Sequence, residues 1–470
     1  MKHFDVVVLG AGSAGELIAT TLARAHKSVA LIEKLRVGGE CAYVSCMPSK
    51  AMLRSAQVRQ TTKKIVTLGG ASHAVNLGDD FEAYSMAATR RDEIAEHRDD
   101  SSAAAHVRKQ GVELFRGIGI ISGANQIKIG EVELSWTDLV LATGSAASIP
   151  TIEGLDSLSY WTSDDALSAP ELPQSLLIVG GGPVACELAQ IFARFGAKIT
   201  VVEFGTQLAG KEHPEVAERL AQKLKDEGIA IHLNTNVIKV NTTVDGLTQV
   251  QLSTGESILV HQLVIATGRH PNTKELNLEL LNIGLNENGS VSVDAQCRVI
   301  GQKHVWAGGD ITGIAPFTHT ANYQGRIVAN NILGMNQAAD YRAIPRAIYT
   351  DPAVASVGNF SDSEKKTEIV TSRIELSDVS RNSTDGENGG LLILAANLAK
   401  GVLIGASAIG PHADEWMAEA TLAIRAEISL AVLEDLVHAF PTFGEAFEVP
   451  LRELARQHRL FQNDSKKAGS

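Results

Sequence analysis

Two stretches of this chain spell the same order of elements, and that duplication restricts the fold more than any other feature. The first runs Phe4-Asp5-Val6-Val7-Val8-Leu9, then Gly10-Ala11-Gly12-Ser13-Ala14-Gly15, a helical stretch, and Ser28-Val29-Ala30-Leu31-Ile32-Glu33. The second runs Leu176-Leu177-Ile178-Val179, then Gly180-Gly181-Gly182-Pro183-Val184-Ala185, a helical stretch, and Lys198-Ile199-Thr200-Val201-Val202-Glu203. Each reads as a buried strand, a glycine turn, a helix and a second buried strand that ends in an acid at the same distance from the first glycine. A lone G-x-G-x-x-G is weak evidence. Between a strand and a helix, with the acid in place, it describes a dinucleotide-binding unit. Two copies predict an α/β fold with two Rossmann-like nucleotide-binding domains.

The residue roles follow from the chemistry of a pyrophosphate. Gly10 and Gly180 make the tight turns, and Gly12 and Gly182 let the phosphates approach the backbone. Gly15 and Ala185 permit close packing of helix on strand, and each helix N-terminus offers unpaired N–H groups to the anion. Glu33 and Glu203 can accept hydrogen bonds from an adenosine ribose. Ala142-Thr143-Gly144 and Ala266-Thr267-Gly268-Arg269 each follow an apolar run, as strands closing each unit would, and Val305-Trp306-Ala307-Gly308-Gly309-Asp310 is another short strand ending in an acid. Between the two units, Asp80 to Gln110 reads as one long polar helix. From about Tyr341 the pattern changes: Leu391–Ala396 and Val402–Ile409 flank the hairpin signal Ala399-Lys400-Gly401, and amphipathic helices are expected near Asp414–Ala426 and Leu430–Val437. This is an α+β C-terminal domain.

The chemistry sits in Gly38-Gly39-Glu40-Cys41-Ala42-Tyr43-Val44-Ser45-Cys46-Met47-Pro48-Ser49-Lys50. The spacing of Cys41 and Cys46 fits a disulfide at the start of a helix, because one turn brings such positions together. A thiol at a helix N-terminus is also easier to ionise. Two buried structural thiols would fit the spacing as well. Cys186 and Cys297 read as inert buried thiols, and so few cysteines in 470 residues do not make a secreted disulfide scaffold. A formal net charge of −12, spread along the chain, argues against nucleic-acid or anionic-membrane partners. No apolar run has bilayer-spanning length. A redox pair in a reducing cytoplasm fits the cysteine usage better, so that is the expected location.

Taken together, these motifs resemble the flavin-dependent pyridine nucleotide-disulfide oxidoreductases, and among them the dihydrolipoamide dehydrogenases most closely. The resemblance covers residues from about 4 to 455. It implies a homodimer with FAD in an N-terminal domain (1–150, completed by 271–340), NAD(H) or NADP(H) in an inserted domain (151–270) and a C-terminal dimerisation domain (341–470). Mapped onto this sequence, Gly10, Gly12, Gly15, Glu33, Thr143, Gly144 and Asp310 would hold FAD, while Gly180, Gly182, Ala185, Glu203 and Gly268 would hold the nicotinamide cofactor. Cys46 would be the charge-transfer thiolate against the flavin, Cys41 the interchange thiol facing substrate, and Lys50, paired with Glu187, a flavin-side charge. Glu203 suits a free ribose 2′-hydroxyl and no arginine lies in Phe204–Ala209, which favours NADH; Ala185 points the other way.

One departure limits the resemblance. The family carries His-Pro-Thr near its C-terminus, and that histidine serves the partner subunit's cysteines as general acid and base. Here the segment reads His438-Ala439-Phe440-Pro441-Thr442-Phe443-Gly444-Glu445, with Phe440 in the histidine position and Glu445 matching the glutamate that orients it. His438 matches a non-catalytic histidine, and His319 is a weaker candidate proton donor. Glu40 replaces the family's usual threonine and is expected to face solvent. The predicted activity is therefore electron transfer among NADH, FAD, the Cys41–Cys46 pair and a small-molecule disulfide or dithiol. The alternatives are a quinone, dye or metal-ion reductase and, least favoured, a non-enzymatic redox sensor. Mercuric reductases also carry Phe-Pro at this point, but they need a C-terminal cysteine pair and Gln457–Ser470 contains none.

Overall fold

The apolar runs of the first unit form parallel strands buried on both faces, as their near-continuous Val, Ile and Leu content requires. In the computed structural model, which describes residues 1–360, 368–386 and 389–468, they build a seven-stranded sheet. Its path is β3 (Glu113–Arg116), β2 (Val29–Glu33), β1 (Lys2–Leu9), β6 (Val132–Leu141), β5 (Gln126–Ile129) and β4 (Ile120–Gly123), with the strand Val305–Ala307 also paired to β6. One face of this sheet packs Phe4, Val7, Leu9 and Ile32, and the other packs Val6, Val8 and Leu31 against helix α1 (Ser13–Arg24).

The second unit repeats this plan. Strands β8 (Ser175–Val179), β9 (Lys198–Val202) and β10 (Ala230–His232) pair in parallel, and Gln262–Ile265 joins β8 from the other side. The two units meet where β7 (Ser145–Ala147) pairs antiparallel with Arg269–Pro271, directly after the two Ala-Thr-Gly strings. The C-terminal region is a five-stranded antiparallel sheet ordered Arg346–Ile348, Ala353–Gly358, Val402–Gly410, Leu391–Asn397 and Ile369–Glu375. Its expected hairpin is present, with Gly401 at φ +67° in the turn.

Three expected helices differ in the structure. The stretch Asp80–Gln110 is broken into Asp80–Ile94 and Ser101–Lys109, because Glu96, His97 and Arg98 all adopt positive φ and Asp99 accepts the backbone N–H of Ser101. Short side-chain acceptors of this kind compete with the helical hydrogen bond and start a new helix instead. Near the C-terminus, the helix expected over Leu430–Val437 spans only Leu430–Leu433, and that expected over Asp414–Ala426 is split into Ala413–Trp416 and Ala418–Arg425.

Candidate active site

Strand register gathers the nucleotide motifs at one edge. Leu9 lies opposite both Ile32 and Leu141, and Ala307 lies opposite Leu141. The residues that follow those strands, Gly10, Glu33, Ala142–Gly144 and Gly308–Asp310, therefore meet at the carboxyl end of the sheet. That is where open α/β sheets bind ligands. In the second sheet Val179 lies opposite Val202 and Ile265, which brings Gly180, Glu203 and Ala266–Gly268 together in the same way.

Both glycine turns are shaped to admit a pyrophosphate. Gly10 sits at φ +95°, and a Cβ there would stand 2.3 Å from the carbonyl oxygen of Ala142; one on Gly15 would stand 1.9 Å from that of Gly10. Gly12 and Gly182 differ. A Cβ on Gly12 would meet nothing closer than 4.0 Å, and one on Gly182 nothing within 4 Å. Each of these glycines is the N-cap of its helix and no side chain caps either helix, so unpaired N–H groups face open space. Those features fit FAD at the first turn and a nicotinamide dinucleotide at the second. The two acids repeat as well: Glu33 accepts from the N–H groups of Ala11 (2.7 Å) and Leu35 (2.6 Å), and Glu203 from those of Gly181 and Gly205. Ala185 is fully buried beneath its turn. Thr143 donates to the carbonyl of Asn272 at 2.7 Å, and Gly144 and Gly268 take positive φ where the chain crosses between units.

The cysteines are placed differently from a single helical turn. Cys41 lies in the short helix α2 (Gly39–Tyr43), whereas Cys46 opens α3 (Cys46–Lys63), and a bend at Val44-Ser45 separates them. Both are free thiols. The Cys41 thiol donates to Cys46, and this bond, with Thr318 and Lys50 nearby, lowers the Cys46 pKa to about 5. The same bond, together with burial, pushes Cys41 well above the usual thiol range. Thr318, 3.4 Å from Cys46 Sγ, was not singled out by the sequence; it lies on a helix far along the chain, next to the already noted His319. The His319 ring stacks on Phe317 and hydrogen-bonds the carbonyl of Pro345 at 2.9 Å. Cys186 and Cys297 are buried, their pKa values raised by burial to about 12 and about 11.

Lys50 and Glu187 meet across the two nucleotide-binding units at 2.9 Å. Glu187 is buried, and it also accepts from the Ser49 hydroxyl (2.7 Å) and the Tyr349 N–H (3.0 Å). The Lys50 ammonium lies 4.4 Å from the centre of the Tyr349 ring. Asp310 accepts from Ser145 Oγ at 2.6 Å, and Arg269 donates to the same Ser145 hydroxyl at 2.7 Å. The other end of that network corrects the expectation for Glu40. Its carboxylate is half-buried and receives the Arg269 guanidinium at 2.6 Å rather than facing solvent. Burial raises its pKa, opposed by Arg269.

Phe440 is 74% exposed on the C-terminal domain. Glu445 forms a capping box with Thr442, accepting its N–H at 3.0 Å. His438 is held between Glu419 (3.0 Å) and Glu448 (3.5 Å), consistent with a structural role. Among the described residues there is no cluster of three or more His, Cys, Asp or Glu side chains that could hold a metal ion, and no helix long and apolar enough to cross a membrane.

Comparison with known proteins places this geometry in a family. The chain is 30% identical over 458 residues to a dihydrolipoyl dehydrogenase of Chlamydia trachomatis, covering 95% of this chain and 96% of that one. It is also 30% identical over 457 residues to a mercuric reductase of Streptomyces lividans, covering 95% of each. Among solved structures it resembles the Cu(II) complex of a mutant of the HOCl-induced flavoprotein disulfide reductase RclA from Escherichia coli, with a TM-score of 0.84, 25% identity and coverage of 97% of this chain and 99% of that one. Residues 4–325 match the family described as pyridine nucleotide-disulphide oxidoreductase, and residues 344–450 match its dimerisation domain. With that match, the paired nucleotide cradles and the cysteine pair, the chain belongs to the pyridine nucleotide-disulphide oxidoreductases, enzymes that use FAD and NAD(P)H.

Proposed function

We propose that this enzyme uses NADH to keep the Cys41–Cys46 pair reduced, and that its acceptor needs no proton relay from the protein. A quinone or a thiophilic metal cation meets that requirement; a lipoyl disulfide does not. When bound, FAD supplies the link between the two half-reactions, accepting hydride from the nicotinamide and passing two electrons to the cysteines. The α1 N-terminus and Gly12 would hold its pyrophosphate, Glu33 its adenosine ribose and Asp310 its ribityl chain. Gly182, Ala185 and Glu203 would hold NADH, because a carboxylate accepts from a free 2′-hydroxyl and repels a 2′-phosphate. Lys50 keeps a positive charge beside the cysteine pair, and Glu187 fixes where that charge stands.

The proton inventory at Cys41 carries the choice of acceptor. The groups that act on this thiol are Cys46, Thr318 and Lys50, with no histidine or carboxylate among them. The resemblance to the dihydrolipoyl dehydrogenases aligns Phe440 with their histidine, which would serve the partner subunit's cysteines in the homodimer that the dimerisation domain supports. Oxidation of the pair by a quinone moves two electrons and the Cys41 proton onto the quinone, which takes its second proton from water, because Cys46 is already a thiolate. Oxidation by two Cu(II) ions gives the disulfide, two Cu(I) and the one Cys41 proton to water. Neither route has a thiolate leaving group that must be protonated. The RclA structure in complex with Cu(II) supports a metal acceptor other than mercury. A cysteine pair that works as a dithiol fits a cytoplasmic location.

The test is Phe440→His, which puts the imidazole five positions before Glu445. Native enzyme is expected to reduce lipoamide slowly and Phe440→His to gain about 10²–10⁴-fold, the usual worth of a general acid–base group. Native turnover of lipoamide that already matches a histidine-bearing dihydrolipoyl dehydrogenase would overturn the proposal. So would full Cu(II) and quinone turnover in Cys41→Ser.

A further inference from the structure

Beside Cys41 the surface opens into a cavity whose lining includes Ser13, Glu16 and Leu17 of α1, with Cys41, Met47 and Asn322. Glu16 follows directly on the last glycine of the first fingerprint, yet nothing in the nucleotide cradle uses it. Among the described residues its carboxylate makes no hydrogen bond and no ion pair. Thr20, one turn further along α1, does not cap it, because the Thr20 hydroxyl is spent on the carbonyl oxygens of Glu16 and Leu17. Burial penalises the Glu16 charge, and among the described residues the side chain that opposes this is His106, which lies outside the cavity lining.

No lysine, arginine or histidine lines the cavity. Its chemistry is one carboxylate, the Cys41 thiol, the thioether of half-exposed Met47 and neutral groups. An uncompensated carboxylate in a partly desolvated wall attracts a cation and repels an anion more strongly than it would in open water. Soft sulfur donors on the same wall favour a polarisable cation.

Resting on the reading of Cys41 as the electron outlet, we propose that Glu16 is a specificity-determining residue that selects cationic acceptors at this thiol and disfavours anionic ones. Glu16 does not touch the reacting sulfur; it sets the charge of what arrives there.

The experiment compares two methanethiosulfonates that differ only in charge, the 2-(trimethylammonium)ethyl and the 2-sulfonatoethyl reagents, on FAD-loaded Cys46→Ser enzyme. In each reaction the Cys41 thiolate forms a mixed disulfide and methanesulfinate leaves, so no proton donor is needed. Rates are normalised to free cysteine, and peptide mapping confirms the labelled residue. Adding Glu16→Gln is expected to lower the cation-to-anion rate ratio about tenfold, and the salt dependence of that ratio should weaken with it. Any effect of the substitution on the Cys41 pKa acts on both reagents and cancels in the ratio. A ratio unchanged within about twofold overturns the inference. Failure of the outlet reading looks different: Cys41→Ser would keep its Cu(II) turnover, whatever the ratio does.

Discussion

Cys46 reaches a pKa of about 5 chiefly because the Cys41 thiol donates to it, with burial working against the shift and Thr318, Lys50 and Ser45 assisting. Cys41→Ala removes that donor and leaves the other groups in place. The native displacement, from 9.0 to about 5, is then expected to shrink, because its first cause is gone. At pH 6 the native sulfur is about nine-tenths thiolate, and a rise of about two units in pKa would cut the ionised fraction to about a tenth. Alkylation of Cys46 by iodoacetamide at pH 6 should therefore slow by about tenfold, since the thiolate is the nucleophile. The assay is a pH series of pseudo-first-order rates on FAD-loaded protein, with peptide mass spectrometry separating Cys46 from the buried Cys186 and Cys297. Cys41→Ser restores a hydroxyl donor and should lie between the two. An apparent pKa that stays near 5 in Cys41→Ala would refute the reasoning, because the ionisation would then belong to the α3 N-terminus and Lys50 rather than to the neighbouring thiol.

Gly10→Ala and Gly12→Ala should separate steric need from ligand space. Gly10→Ala drives a Cβ to 2.3 Å from the Ala142 carbonyl at φ +95°, so it should lower thermal stability even without FAD, whereas Gly12→Ala should leave apo stability nearly intact and weaken FAD retention on gel filtration. Glu203→Gln keeps one of the two backbone hydrogen bonds that the carboxylate accepts, from Gly181 and Gly205, and removes the charge that would repel a 2′-phosphate; the ratio of kcat/KM for NADH over NADPH should fall about tenfold, and an unchanged ratio would assign the preference elsewhere.

The nucleotide cradles were legible because their residues are contiguous and each has a chemical reason to be what it is. Gly10, Gly12 and Glu33 sit within one βαβ unit, so spacing alone predicts where they meet. Register then does the remaining work, with Leu9 opposite both Ile32 and Leu141. Contacts made across long sequence separations were not legible without a known relative. Nothing in the run around Thr318 says that its hydroxyl reaches Cys46, and nothing in Pro-Ser-Lys says that Ser49 shares Glu187 with Lys50. Glu40 was misread for the same reason: nothing in its own segment points to Arg269, which arrives only when Arg269–Pro271 pairs with Ser145–Ala147 after the two Ala-Thr-Gly strings. The break in Asp80–Gln110 was a local failure, in which Asp99 outcompeted an otherwise helical pattern.

The site separates the path of electrons from the path of protons, and the two differ in how firmly the fold fixes them. Every group on the electron side is tied to at least two elements. Cys46 is held by Cys41 and Thr318, while Glu187 joins α3 to the second nucleotide-binding unit and to Tyr349 of the C-terminal domain. On the proton side the C-terminal segment keeps its scaffold, with Thr442 and Glu445 in a capping box, but presents an exposed Phe440 where a titrating group would act. A protein losing function at this position would be free to lose the pairing of Lys50 with Glu187 as well, because an unused buried carboxylate costs stability. That pairing is intact, and Cys46 still lies far below a free thiol. Under the proposed function the combination is that of a reductase with its electron outlet kept and no proton relay at Phe440, which favours acceptors that bring or release their own protons.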